Sequence, residues 1–161
     1  MPDDPGVRVG QGFDVHRYST DPSRPLVLGG VTFAGERGLH GHSDADVIAH
    51  AITEAILGAA GLGDIGEMFP DTDPALEGAD SIELLGLAVD AVTAEGWRPV
   101  NVDCAVVLDA PKLSPRKAEM QQILSEAIRA PVSVKARNSE GIGAIGRGEG
   151  VAAWAVALVS R

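Results

Sequence analysis

The run Val151-Ala-Ala-Trp-Ala-Val-Ala-Leu-Val159 carries no charge and no polar side chain, and it constrains the fold more than any other stretch. A strand with one wet face alternates apolar and polar residues; this one is apolar at both parities, so protein must cover both of its faces. Only 4% of the residues are aromatic, so the core rests on Ala, Val, Leu and Ile, and small aliphatic cores gain burial by oligomerising. We therefore read a mixed sheet with helices on one face and another subunit against part of the other.

The remaining elements follow from periodicity and caps. Val7 to Tyr18 reads as a first strand, with Val7, Val9, Phe13 and Val15 apolar and Gly10 and Gly12 as interruptions. Leu26-Val27-Leu28 and Val31-Thr32-Phe33 are short strands broken at Gly29-Gly30. Ser43 and Asp46 resemble a capping box ahead of a helix from about Asp44 to Ala60, with Ile48, Ala51, Ile52, Ala55 and Ile56 as its buried stripe. Asp64 to Gly78 is an irregular loop of a length that is often functional. Asp80 caps a second helix, on which Leu84, Leu85, Leu87, Ala88, Ala91 and Val92 are apolar and which Gly96 ends. Val100 to Leu108 is a strand, Ser114-Pro115 opens a third helix, and Val132 to Ala136 is a further strand. No repeat or linker divides the chain, so 1–161 is read as one α/β (α+β) domain with a flexible arm over residues 1–6.

The formal charge of −10 argues against a nucleic-acid or membrane-surface role, both of which need basic patches. Cys104 is alone, so no disulfide framework or multi-Cys zinc module is available. The polar, Pro-rich start has no signal or transit character, and no apolar run reaches bilayer length, which reads as a cytoplasmic chain. An acidic protein that accepts an anion needs local cations, and metal ions are one source.

Asp14 and His16 lie two apart on a strand and share a face, which suits two ligands of one metal; the same pair can equally be solvated polar residues near a strand end. His50 follows Asp46 by one helical turn, a spacing that also makes an ordinary surface pair. Joined to Asp14 and His16, it completes a three-ligand set with an open position, and Asp46 would then orient it or simply be part of the cap. His42 and Ser43 precede a helix N-terminus that favours anions, or form a plain cap. His40 reads as surface. Arg137-Asn138-Ser139-Glu140 leads into the glycine-rich Gly141 to Gly150, where Arg147 could clamp a phosphate or the segment could be a simple hairpin.

Taken together, Gly10-Gln-Gly-Phe-Asp-Val-His16, His42-Ser-Asp-Ala-Asp46 with His50, Leu62-Gly-Asp-Ile-Gly66, Phe69-Pro-Asp-Thr-Asp-Pro74, Ala110-Pro-Lys112 and Gly146-Arg-Gly-Glu-Gly150 resemble the 2-C-methyl-D-erythritol 2,4-cyclodiphosphate synthase family, from Arg8 to Val159. The resemblance implies a homotrimer whose sheets face the three-fold axis and whose active sites lie between subunits. It implies Zn²⁺ on Asp14, His16 and His50, and Mg²⁺ or Mn²⁺ on Glu140 bridging the substrate diphosphate. His42 and Asn138 would stabilise the transition state. Ser43, Arg137, Ser139 and Arg147 would bind substrate, with Arg147 near the trimer axis. Asp64, Ile65 and Gly66 would lie along the sugar, with Phe69, Asp71 and Asp73 near the erythritol. Leu108, Lys112, Leu113 and Ser114 would line a cytosine pocket supplied by the neighbouring subunit.

The implied reaction is intramolecular: the 2-phosphate of a cytidine diphosphate-linked methylerythritol attacks the β-phosphorus and CMP leaves, in the non-mevalonate route to isoprenoids. The family usually carries a Thr-rich run where Arg137-Asn138-Ser139 stand; Asn138 keeps a donor, which implies activity at an altered rate. Phe and Thr are common where Ala144 and Ile145 stand, so an aromatic-lined cavity on the trimer axis is not implied here. The alternatives are a metal-dependent phosphohydrolase and a trimeric anion-binding protein with weakened catalysis.

Overall fold

Along the first strand, β1 (Val7–Arg17), the residues that face the helix layer are glycines rather than large apolar side chains. A Cβ at Gly10 would lie 2.0 Å from the Ala55 carbonyl oxygen, and one at Gly12 would lie 2.0 Å from that of Ala51. The two glycines that read as interruptions are thus where α1 (Val47–Ala60) presses against the sheet. Val7, Val9, Phe13 and Val15 point the other way and are half exposed.

The computed structural model describes residues 6–161, so all of the expected flexible arm except Gly6 lies outside the described residues. Its main sheet has the order β1-β6-β4-β5, with β4 (Arg98–Val107), β5 (Val132–Arg137) and β6 (Gly150–Ser160). β6 is antiparallel to both β1 and β4, whereas β4 and β5 run parallel. A parallel pair needs a crossover, and α4 (Lys117–Ile128) provides it, burying Met120, Leu124 and Ile128. α3 (Ser81–Ala94) packs beside α1 and α4. A small hairpin, β2 (Leu26–Leu28) and β3 (Val31–Phe33), turns at Gly29 and Gly30, both with positive φ. Val151, Ala153, Ala155, Ala157 and Val159 of β6 are buried toward the helices, while Trp154 and Val156 stay exposed on the face that no helix covers.

Several expectations shift. The cap of α1 is Asp46, not Ser43, so the helix starts at Val47. Asp46 is fully buried and accepts from the amides of Ile48 and Ala49 and from those of Gly29 and Gly30, which ties the hairpin to the helix. It does not orient His50. The 64–78 loop contains the short helix α2 (Ile65–Met68), closed by an Asp64–Glu67 capping box, and a 3₁₀ turn at Pro74–Leu76. Ser114–Arg116 is likewise a 3₁₀ turn ahead of α4, and Leu87 is exposed. The glycine-rich segment is not a hairpin, because β5 and β6 are not neighbours; it crosses the end of the sheet and includes the single helical turn α5 (Gly143–Gly146).

Candidate active site

Asp14 and His16 share the helix-facing side of β1 with Gly10 and Gly12, farther along the strand, where the first turn of α1 begins. His50 projects from that turn. The Asp14 Oδ2 atom lies 3.0 Å from His16 Nε2 and 3.1 Å from His50 Nδ1, and the two ring nitrogens are 3.2 Å apart. Among the described residues, these form the one His/Cys/Asp/Glu group arranged to hold a metal ion.

The surroundings fit a cation. His16 Nδ1 donates to the His40 carbonyl at 2.6 Å, which leaves Nε2 with its lone pair toward Asp14. Gly41 leaves room for this ring, since a Cβ there would lie 3.0 Å from His16 Cε1. His50 Nε2 meets Ser81 Oγ at 2.9 Å and Ser43 Oγ at 3.1 Å on the side away from Asp14. Burial opposes ionisation of Asp14, but hydrogen bonds and charge from His16 and His50 outweigh it and hold the carboxyl well below the usual carboxylate range. Burial likewise works against the His16 imidazolium, yet Asp14 raises its pKa above the ordinary value. One carboxylate and two imidazoles are a common donor set for Zn²⁺.

A cavity of about 860 Å³ opens over this group, and of the expected site residues it is lined by Asp14, His16, His42, Ser43, His50, Ile65, Gly66, Phe69 and Asp71. His40 and Arg17, not expected there, also line it. His42 Nε2 donates to the Asp73 carbonyl at 2.8 Å. The Asp73 and Asp64 carboxylates do not line this cavity; they cap the 3₁₀ turn and α2. The Ser43 hydroxyl is buried and turned inward to His50, Ser81 and the Ala45 amide, and the α1 amides it was expected to flank are already capped by Asp46. An anion at that helix end therefore has no free cap to use.

The remaining expected residues gather elsewhere. The Leu108 and Leu113 side chains are buried in the core, so these positions can present only main chain to a ligand, while Lys112 and Ser114 are exposed. Asp109, missed in the sequence, accepts from the Ser139 amide and hydroxyl, each at 2.8 Å, and fixes the turn that carries Asn138 and Glu140. Arg137, Asn138 and Glu140 are exposed, and Arg147 pairs with Glu149 at 2.6 Å. Neither the 108–114 group nor the 137–147 group lines the metal-type cavity of the same chain. Ser81 and Asp44 were also missed: Ser81 lies far from His50 in sequence and reads there only as a helix start, and Asp44 reads only as the edge of a helix cap.

The chain matches the YgbB family over residues 7–160. The 2-C-methyl-D-erythritol 2,4-cyclodiphosphate synthase of Bordetella pertussis is 54% identical to it over 96% of each chain. Its fold superposes on the bifunctional IspDF of Campylobacter jejuni with a TM-score of 0.90 at 43% identity, covering 96% of this chain and 42% of that longer one. It also superposes on the IspF–CDP complex of Plasmodium falciparum with a TM-score of 0.83 at 31% identity, covering 98% of both chains. By near full-length similarity, this chain belongs to the YgbB family of 2-C-methyl-D-erythritol 2,4-cyclodiphosphate synthases.

Proposed function

We propose that the protein converts 4-diphosphocytidyl-2-C-methyl-D-erythritol 2-phosphate to 2-C-methyl-D-erythritol 2,4-cyclodiphosphate and CMP, as a cytoplasmic homotrimeric lyase. The observation that carries this reading is the convergence of Asp14, His16 and His50 at the floor of the cavity, in a chain matched over its length to synthases. The CDP bound to the Plasmodium relative supports a cytidine-linked substrate.

In this reaction an oxygen of the 2-phosphate forms a bond to the β-phosphorus, and the bond from that phosphorus to the CMP oxygen breaks. The nucleophile belongs to the substrate, so the protein's task is to position the reacting groups and neutralise their charge. Asp14, His16 and His50 would hold Zn²⁺, and Glu140 would hold Mg²⁺ or Mn²⁺; when bound, these ions supply positive charge to the phosphates. Ile65, Gly66 and Phe69 shape the wall against the carbon skeleton, with Asp71 at its polar edge. His42, held by its Nε2 hydrogen bond to the Asp73 carbonyl, would stabilise the transition state from the cavity wall. Lys112, Ser114 and the main chain at Leu108 and Leu113 would come from a neighbouring subunit to close over cytosine. Arg137, Asn138 and Ser139 would reach the phosphates from that same side.

The test is metal and turnover analysis of His50→Ala beside the unaltered protein. Loss of stoichiometric zinc together with CMP release supports the assignment. Zinc retained at one per subunit in that variant removes His50 from the ligand set.

A further inference from the structure

His50 is held by a hydrogen-bond chain that ends on a carboxylate outside the cavity. Ser81 Oγ donates to Asp44 Oδ1 in a short contact, and the Ser81 amide donates to Asp44 Oδ2 at 3.2 Å. A serine hydroxyl has one proton, and Asp44 takes it. Ser81 Oγ can therefore only accept from His50 Nε2, 2.9 Å away, which fixes the proton of His50 on Nε2 and frees Nδ1 for the cavity. The neighbouring ligand has the reverse arrangement, because the His40 carbonyl fixes the proton of His16 on Nδ1.

The backbone keeps this chain in place. Asp44 N donates to the Ala79 carbonyl at 3.0 Å and Gly78 N donates to that of His42 at 2.8 Å, so the loop before α1 is zipped to the segment that leads into α3. Ser81 is 1% exposed, which excludes water as a competing partner for its hydroxyl. Ser43 stands as a second oxygen near His50 Nε2, but its hydroxyl is also within 3.3 Å of Ser81 and accepts from the Ala45 amide.

We infer that Ser81 and Asp44 are positioning residues that commit His50 to bind metal through Nδ1, the opposite ring nitrogen to that used by His16. This rests on the metal reading above and adds which atom of each histidine is the ligand. Carboxylate-backed partners of a ligating imidazole hold its tautomer and raise its basicity, and their loss typically costs ~10- to 100-fold in metal affinity.

Two measurements test it, neither of which needs turnover. Zinc affinity by chelator competition is expected to fall ~10- to 100-fold in Ser81→Ala and to recover substantially in Ser81→Thr, which keeps the hydroxyl. Wild-type affinity in Ser81→Ala, or no recovery in Ser81→Thr, overturns the inference. The second uses only the unaltered zinc-loaded protein: ring ¹⁵N spectra are expected to show His50 protonated at Nε2 and metallated at Nδ1, with His16 the reverse. Zinc bound through His50 Nε2 overturns this inference alone, whereas a protein that binds no zinc overturns the metal reading first.

Discussion

Phe13 and Trp154 stand directly opposite each other across β1 and β6, their ring centroids 5.0 Å apart, on the sheet face that no helix covers. Both stay more than two-fifths exposed in the single chain, together with Val7, Val9, Val15 and Val156. A contiguous apolar face of this kind marks an association surface. Placing a charge in it, as in Phe13→Asp, is expected to shift the proposed trimer to monomer in sedimentation velocity. Because the cytosine wall is assigned to a neighbouring subunit, CMP-forming activity should fall with the trimer. An active monomer would separate the two.

Gly12 carries the contact between β1 and α1. Gly12→Ala places a methyl 2.0 Å from a backbone carbonyl that cannot rotate away. Overpacking of this sort costs about 1–3 kcal/mol or more, read as a lower urea midpoint. The same shift should move α1 and with it His50, so zinc affinity is expected to fall in parallel.

The sequence exposes that contact poorly. In the sequence Gly10 and Gly12 read only as interruptions of an apolar strand, yet they face α1, because the side pressed against that helix has room only for glycine. The cap at Asp80, the stripe of α1, and the strand segments at Leu26 and Val31 are local patterns and were legible. So were Asp14, His16 and His50 as a set, since strand parity aligns two of them and the resemblance adds the third. The Ser81–Asp44 support was not, because it joins positions 37 residues apart through side chains that locally look like caps.

Acidity should act in opposite directions on the metal-free and metal-loaded protein. In the metal-free chain the His16 pKa is raised above 6.5, so its contribution to stability is complete below 6.5 and is lost as pH rises through the folded value. The Asp14 pKa is depressed, so its contribution is present above 3.8 and fades only as pH falls through the lower folded value. Metal-free stability is therefore expected to decline from mildly acidic to alkaline pH. Zinc affinity should rise over the same span, because bound metal needs neutral imidazoles. Parallel urea and zinc titrations across pH check both trends; parallel rather than opposed slopes would contradict the assigned ion pair.

Cys104 is fully buried in β4, and burial pushes its thiol up to about 12. It is expected to be inert to a thiol-specific reagent in the folded protein and to react fully once denatured. Rapid labelling of the native protein would show that β4 opens far more readily than its packing implies.

The most direct test of the function is the phosphorus spectrum of the products formed from 4-diphosphocytidyl-2-C-methyl-D-erythritol 2-phosphate with zinc and magnesium supplied. Two coupled resonances of a cyclic diphosphate, with an equal amount of CMP, are the predicted result. CMP accompanied by a linear methylerythritol 2,4-bisphosphate would show that water, not the 2-phosphate, cleaves the diphosphate, and would contradict the cyclase assignment.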